Sequence, residues 1–277
     1  MKRRILRCMG VTSCLIVFSG SGRGSLAPPM MRQVPQGFDG TVSFASDLST
    51  EAARRATAAL DAETVSRVTS ASDYGGLVCL MNIIGPKLTV QMNMEAKALR
   101  QSLQPSTYWN RWQEGRGDAY RLIDKETCEL MGYSALTFAV HLLAAVCQRL
   151  DELGRGGSTG VRPTSKLQLA CFPAGSEGYV AHTDGSALEE LEDSMPPDQR
   201  AMISSRRVTA ILYLNDHWDE SYDGALRAYG AESRAEDSYV DALPHGGSLI
   251  LFRSRDVIHE VRPTSHDRYA LTMWYVT

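Results

Sequence analysis

Residues 247–277 read GSLILFRSRDVIHEVRPTSHDRYALTMWYVT. Three short runs rich in β-branched and aromatic residues, GSLILF, VIHEV and YALTMWYV, are separated by clusters of Arg, Asp, Pro and Ser. Each run is too short for a helix of ordinary length, and turn-forming residues bound each one, so they read as strands. The same texture begins at Lys166 with KLQLACF and continues in VTAILYL at 208–214. Several short strands joined by turns predict an all-β sandwich or barrel in the C-terminal part of the chain.

Upstream the pattern is helical. Residues 50–70 are Ala-rich, with Ser49 or Thr50 as expected N-caps. In residues 134–153, Leu136, Val140, Leu143, Cys147, Leu150 and Leu153 recur at steps of three and four and form one apolar stripe. Ser134 is expected to cap this helix and Gly154 to end it; His141 beside the stripe reads as a structural residue. The stretch before Leu103 is apolar without clear period. The expected organisation is a targeting segment or disordered tail at 1–24, a linker at 25–50, a helical support region at 51–160 and a β core at 161–277.

The 277 residues suffice for one large domain or two small ones with a substantial core. Hydrophobic residues at 43% and charged residues at 22% are ordinary for a soluble globular protein. A net charge of −3 gives no electrostatic basis for a nucleic-acid partner. None of the six cysteines forms a C-x-x-C pair, so a zinc ribbon or thioredoxin-like motif is excluded and buried free thiols are expected. Lys2, Arg3, Arg4 and Arg7 precede an apolar run, Cys8 to Phe18, and then small residues. This suits a signal or transit peptide and is too short for a stable membrane span.

The chemistry centres on YVAHTDG, residues 179–185. In a strand, His182 and Asp184 project from the same face and put an imidazole beside a carboxylate. His259 lies on another expected strand, in HEV. Two His and one carboxylate on neighbouring strands form the facial triad of non-haem Fe(II) oxygenases, which leaves positions open for a co-substrate and O2; a zinc hydrolase can use the same donors. Arg268 decides between them. It opens the last strand, nine residues after His259, and burying it in a barrel requires an anionic partner such as a dicarboxylate co-substrate. Tyr213 in AILYLN can add a hydroxyl donor to the same carboxylate.

From about Gly115 to Thr277 the chain resembles the prolyl 4-hydroxylases of the hypoxia-inducible-factor type, within the 2-oxoglutarate/Fe(II)-dependent dioxygenases. The resemblance is carried by GRGDAY, LACFPAGSEGYVAHTD, RRVTAILYLNDHWDESYDGALRAY, GGSLILFRS and HEVRPTSHDRYALTMWY. It implies an α+β fold: a double-stranded β-helix, or jelly roll, buttressed by N-terminal helices. It implies Fe(II) on His182, Asp184 and His259, and the far carboxylate of 2-oxoglutarate on Arg268 and Tyr213, with Leu226 and Thr272 lining the co-substrate pocket. Trp274 matches an aromatic at the substrate-facing mouth. Arg227 matches a position that either contacts substrate backbone or forms a structural salt bridge. O2 as oxidant, ascorbate as reductant and a role in oxygen sensing follow from the same resemblance. So do a cytoplasmic or nuclear location and a protein substrate with a target proline. Asp184 argues for hydroxylation, since related halogenases lack this carboxylate. A free-amino-acid hydroxylase and a non-catalytic ligand-binding barrel are the alternatives.

Three departures from the family pattern stand out. Phe172 replaces a frequent Tyr. Asp223-Gly224 replaces a frequent Gly pair, which reads as a mild change within a turn. The segment from Ser186 to Ser205, containing ALEELEDSMPPDQR, is longer than expected and reads either as a solvated loop or as a lid that selects the substrate.

Overall fold

A computed structural model describes residues 4–7, 15–19, 29–34, 47–69, 76–105, 118–154, 160–193, 195–230 and 239–277. In chain order the first strands are β1 (Arg4–Arg7), β2 (Leu15–Ser19), β3 (Met30–Gln33) and β4 (Val78–Met81), followed by β5 (Gln104–Pro105), β6 (Ala119–Ile123) and β7 (Arg162–Pro163). Next come β8 (Leu167–Phe172), β9 (Tyr179–His182), β10 (Arg206–Tyr213) and β11 (Leu226–Tyr229). The last four are β12 (Tyr239–Ala242), β13 (Leu249–Arg253), β14 (His259–Val261) and β15 (Arg268–Val276). The helices are α1 (Leu48–Ala59), α2 (Ala62–Thr69), α3 (Pro86–Ala98), α4 (Lys125–Leu130), α5 (Ser134–Leu153) and α6 (Pro197–Ser205).

Among the described residues the strands form two open sheets. The larger runs β3-β4-β13-β10-β15-β8-β6-β5, with β7 on β15; the smaller runs β1-β2-β12-β11-β14-β9. One face of the larger sheet carries Leu212, Leu251, Leu169, Leu271 and Tyr275 into the core shared with α1, α3 and α5. Its other face carries Ile211, Tyr213, Ile250 and Phe252 against Leu226, Ala228 and Val240 of the smaller sheet. Burial on both faces explains why its strands read as nearly continuous apolar runs, whereas β11 of the smaller sheet alternates buried and half-buried. This is the double-stranded β-helix with helical support that the sequence predicts.

Several local expectations need correction. Asp47, and not Ser49 or Thr50, caps α1; its carboxylate accepts from both of those residues' amides at 3.1 Å. The helix expected across 50–70 breaks at Leu60 and Asp61 into α1 and α2. Ser134 is the first residue of α5 and gives it no cap. Glu95 of α3 does that work from outside, accepting from the amides of Ala135 and Leu136 at 3.2 and 2.8 Å. Gly154 ends α5 as expected.

The segment read as a linker, 25–50, contains β3, because MMRQ pairs in parallel with β4 and only that long-range partner makes it a strand. Strands β4, β5 and β6 likewise lie inside the expected helical region. Within the segment 1–24 the backbones of β1 and β2 pair with each other, and β2 continues onto β12; the rest of that segment lies outside the described residues. So do Cys8, Cys14 and Gly115 to Gly117 of GRGDAY; the four described cysteines are buried thiols. No helix among the described residues is long and apolar enough to cross a membrane.

Candidate metal and co-substrate site

The site lies between the sheets; its two histidines come from the smaller one and its aspartate from the bend just after β9. In the pairing of β14 with β9, His259 stands opposite His182. The approach of the two strands depends on Gly178, at φ +85, where a Cβ would come within 2.0 Å of the Val261 carbonyl oxygen. Two residues beyond His182, Asp184 turns its Oδ1 toward both rings, 3.6 Å from His182 Nε2 and 3.9 Å from His259 Nε2. One donor atom from each residue lies within 4.8 Å of the others.

Both imidazoles are oriented by the same local device. His182 Nδ1 is 2.8 Å from the Val180 carbonyl oxygen, and His259 Nδ1 is 3.1 Å from that of Val257. A carbonyl only accepts, so Nδ1 carries the proton and Nε2 keeps its lone pair for a metal. Burial pushes the His259 imidazole down to about 4, so it is neutral near pH 7. Burial alone would raise the Asp184 carboxyl, but contact with His182 and attraction to His259 and Arg206 hold it well below the usual carboxylate range. Two imidazoles that turn Nε2 toward one ionised carboxylate fit a divalent first-row metal such as Fe(II). Phe252, centroid 4.8 Å from His259, and Tyr179, stacked on His182 at 3.9 Å, hold the rings from outside.

Arg268 is buried in the same cleft. Its Nε donates to the Gly224 carbonyl at 2.8 Å and its Nη2 to the Tyr213 hydroxyl at 3.2 Å. These two bonds aim the guanidinium and leave further N–H groups for an anion. Burial raises the Tyr213 phenol to about 12, so it remains a donor at neutral pH. Phe172 lies over the guanidinium at 5.2 Å, where a Tyr would have added a hydroxyl.

Leu226, Thr272 and Trp274 all line this cleft. Arg227 does not. It is not among the cleft-lining residues, whereas its neighbour Leu226 is. Its guanidinium binds Asp241 through two 2.7 Å bonds and lies 3.6 Å from the Tyr239 ring centroid. Of the two readings open for Arg227, the structure places it in the salt bridge. Asp223 is also more than a mild change: it sits at φ 56, ψ −130, a conformation suited to glycine. The Ser186–Ser205 segment contains a 3-10 turn, Leu188–Glu190, and α6.

In the cleft and behind its walls lie residues that the sequence reading passed over. Asp118 lines it and attracts Arg268 electrostatically. Gln168 stands opposite Thr272 in the pairing of β8 with β15. Arg206 donates to the Asp184 backbone carbonyl at 2.9 Å and stacks on Trp274, 3.7 Å from a ring centroid. Thr209 bonds the Asp184 carboxylate at 2.8 Å. A signal for Thr209 was available: it shares strand parity with Ile211 and Tyr213.

Residues 167–276 match the 2OG-Fe(II) oxygenase superfamily. The chain is 32% identical over 123 residues to human Egl nine homolog 1, covering 44% of this chain and 25% of that protein. It is 30% identical over 163 residues to human prolyl hydroxylase EGLN3, covering 58% of each. The chain thus spans from a quarter to little more than half of the length of these curated relatives. Among solved structures it resembles a Trichoplax adhaerens prolyl hydroxylase in complex with a hypoxia-inducible-factor oxygen degradation domain peptide. The TM-score is 0.61 at 22% identity, over 82% of this chain and 91% of that one. It also resembles a Pseudomonas putida prolyl-4-hydroxylase, with a TM-score of 0.53 at 24% identity over 78% and 97% of the two chains. Residues 167–276, which carry the His182–Asp184–His259 cluster and Arg268, are thus the part of the chain that matches the 2OG-Fe(II) oxygenase superfamily, and the relatives that share this sequence include human Egl nine homolog 1 and prolyl hydroxylase EGLN3.

Proposed function

We propose that the chain is an Fe(II)- and 2-oxoglutarate-dependent dioxygenase that hydroxylates a prolyl residue of a protein to 4-hydroxyproline. The observation that carries this reading is one cleft that holds both a three-donor cluster suited to a metal and a buried Arg268 braced by Tyr213. When bound, Fe(II), 2-oxoglutarate and O2 supply the oxidation: 2-oxoglutarate becomes succinate and CO2, and one oxygen atom enters a substrate C–H bond. Ascorbate is the reductant that keeps iron in the Fe(II) state.

The chain's own residues hold and orient. His182, Asp184 and His259 would hold the metal. Arg268 and Tyr213 would take the far carboxylate of the co-substrate, and Leu226, Ile211 and Ala270, which line the same cleft, would offer its methylenes an apolar wall. Trp274, at the opposite end of the β15 face from Arg268, meets the prime substrate together with the Ser186–Ser205 segment. The prolyl hydroxylase relatives favour a protein substrate over a free amino acid.

The test compares proteins from cells with and without this gene by mass spectrometry, alongside succinate release by the purified chain with free proline. Prolines that carry an added oxygen only when the gene is present support the proposal. No such site, combined with turnover of free proline, overturns it in favour of a small-molecule hydroxylase.

A further inference from the structure

Asp184 is held at more atoms than a metal ligand needs for its own fold. Arg206 Nη1 donates to its backbone carbonyl at 2.9 Å, and the next amide, Gly185, donates to the Ser254 carbonyl at 2.9 Å. On the side chain, Oδ1 faces the two imidazoles while Oδ2 receives a 2.8 Å bond from Thr209 Oγ1. Thr209 Oγ1 is in turn 2.9 Å from Ser254 Oγ, and neither residue has any solvent exposure beyond 0%. The direction of this chain follows from valence. An ionised carboxylate only accepts, so Thr209 spends its one proton on Oδ2, and the proton between the two hydroxyls must come from Ser254. A dry, directed chain of this kind strengthens each of its bonds.

We propose that the Ser254–Thr209 hydroxyl pair fixes Asp184 as a one-oxygen ligand. With Oδ2 engaged, Oδ1 alone faces the two imidazoles and would be the oxygen offered to a metal. Three protein donor atoms on a six-coordinate ion leave three positions, the number that a two-point co-substrate and O2 require. Released from Thr209, the carboxylate could swing or chelate with both oxygens and close one of those positions. Thr209 and Ser254 are positioning residues, and their role rests on the metal-site reading above.

The experiment uses Mn(II) alone, with neither 2-oxoglutarate nor substrate, on the full chain. Affinity is read by titration calorimetry, and metal-bound water by proton relaxation. Thr209→Val keeps the shape and removes the donor; it should weaken Mn(II) binding by about tenfold or more, or displace one bound water. Thr209→Ser restores a hydroxyl and should return both readouts to within about threefold of the parent. Ser254→Ala should fall between them, and it carries the test if Thr209→Val does not fold. Parent-like affinity and hydration in Thr209→Val, or in Ser254→Ala if that variant carries the test, overturn the proposal and leave the metal site standing. A loss in Thr209→Ser equal to that in Thr209→Val also overturns it, because packing and not the hydroxyl would then be responsible. No Mn(II) binding by the parent overturns both the proposal and the metal-site reading.

Discussion

His182 on β9 and His259 on β14 are cross-strand neighbours whose ring centroids lie 4.3 Å apart, each tied through Nδ1 to the carbonyl two residues before it. The pairing makes metal binding a property of the sheet register. One divalent ion should bind per chain, and His182→Ala, Asp184→Ala or His259→Ala should each weaken it by orders of magnitude, since each donor orients the others. Calorimetry with Mn(II) checks this. Parent-like affinity in any of the three would remove that residue from the donor set.

Arg268→Ala should raise the 2-oxoglutarate requirement with metal affinity retained. A hydrogen bond to a charged group is worth about 1.5–3 kcal/mol, or about tenfold to a hundredfold in affinity. Arg268→Lys should recover only part, because an ammonium lacks the planar fork. Tyr213→Phe should cost less, since it removes a neutral donor. Anaerobic titration with Mn(II) present measures all three; unchanged affinity in Arg268→Ala would place the co-substrate elsewhere.

Asp223→Gly should stabilise the protein. Asp223 holds φ 56 and ψ −130, at a strain cost of roughly 1–3 kcal/mol, while glycine loses about 0.4–1 kcal/mol through its freer unfolded chain. The turn is held by Trp218 Nε1 donating to the Asp223 carbonyl at 3.1 Å and by the Gly224 amide donating to Pro263 at 2.8 Å. A rise in melting temperature of about 2–4 °C per kcal/mol is expected; a fall would mean that the Asp side chain contributes more than the backbone costs.

Glu95 should make stability depend on pH. Burial raises its carboxyl above the usual 4.5, against the lowering hydrogen bonds from Leu136, Ala135 and Gln91. The folded state therefore binds this proton more tightly than the unfolded state. Its contribution is fully present below about 4.5 and is lost as pH rises through the shifted value. Glu95→Gln does not titrate, so the difference between it and the parent should move in its favour as pH rises from 4.5 and then level off. Glu95→Ala uncaps α5 and should cost about 1–2 kcal/mol. Denaturant unfolding across this range checks both; a parallel pH course for parent and Glu95→Gln would contradict the first.

Shortening the stretch from Ala187 to Pro196 should change protein hydroxylation while 2-oxoglutarate affinity holds. The 3-10 turn there is tied to α6 by Arg200, which donates to the Leu188 carbonyl at 3.3 Å and pairs with Asp193 at 2.9 Å. Neither contact reaches Arg268. Loss of 2-oxoglutarate affinity in a folded variant would make the segment part of the co-substrate pocket.

Much of this was legible in the sequence because it depends on local periodicity. Alternation in KLQLACF and the short β-branched and aromatic runs VTAILYL and YALTMWYV marked the strands; the i, i+2 spacing put His182 and Asp184 on one face; and the stripe from Leu136 to Leu150 marked α5. Arg268 was readable because a guanidinium opening a buried strand demands a partner. Only tertiary structure decided the rest, since those features depend on residues far apart in the chain. Strand β3 exists through its pairing with β4, the N-terminus of α5 is capped by Glu95 from another helix, and Arg227 is bound to Asp241 because β11 pairs with β12. The strained turn at Asp223–Gly224 is held by Trp218 and Pro263, and the hydroxyl chain to Asp184 by the meeting of β10 with the residue after β13. Periodicity records which face a residue takes; the partner across that face is chosen by the register of strands whose sequence separation carries no local signal.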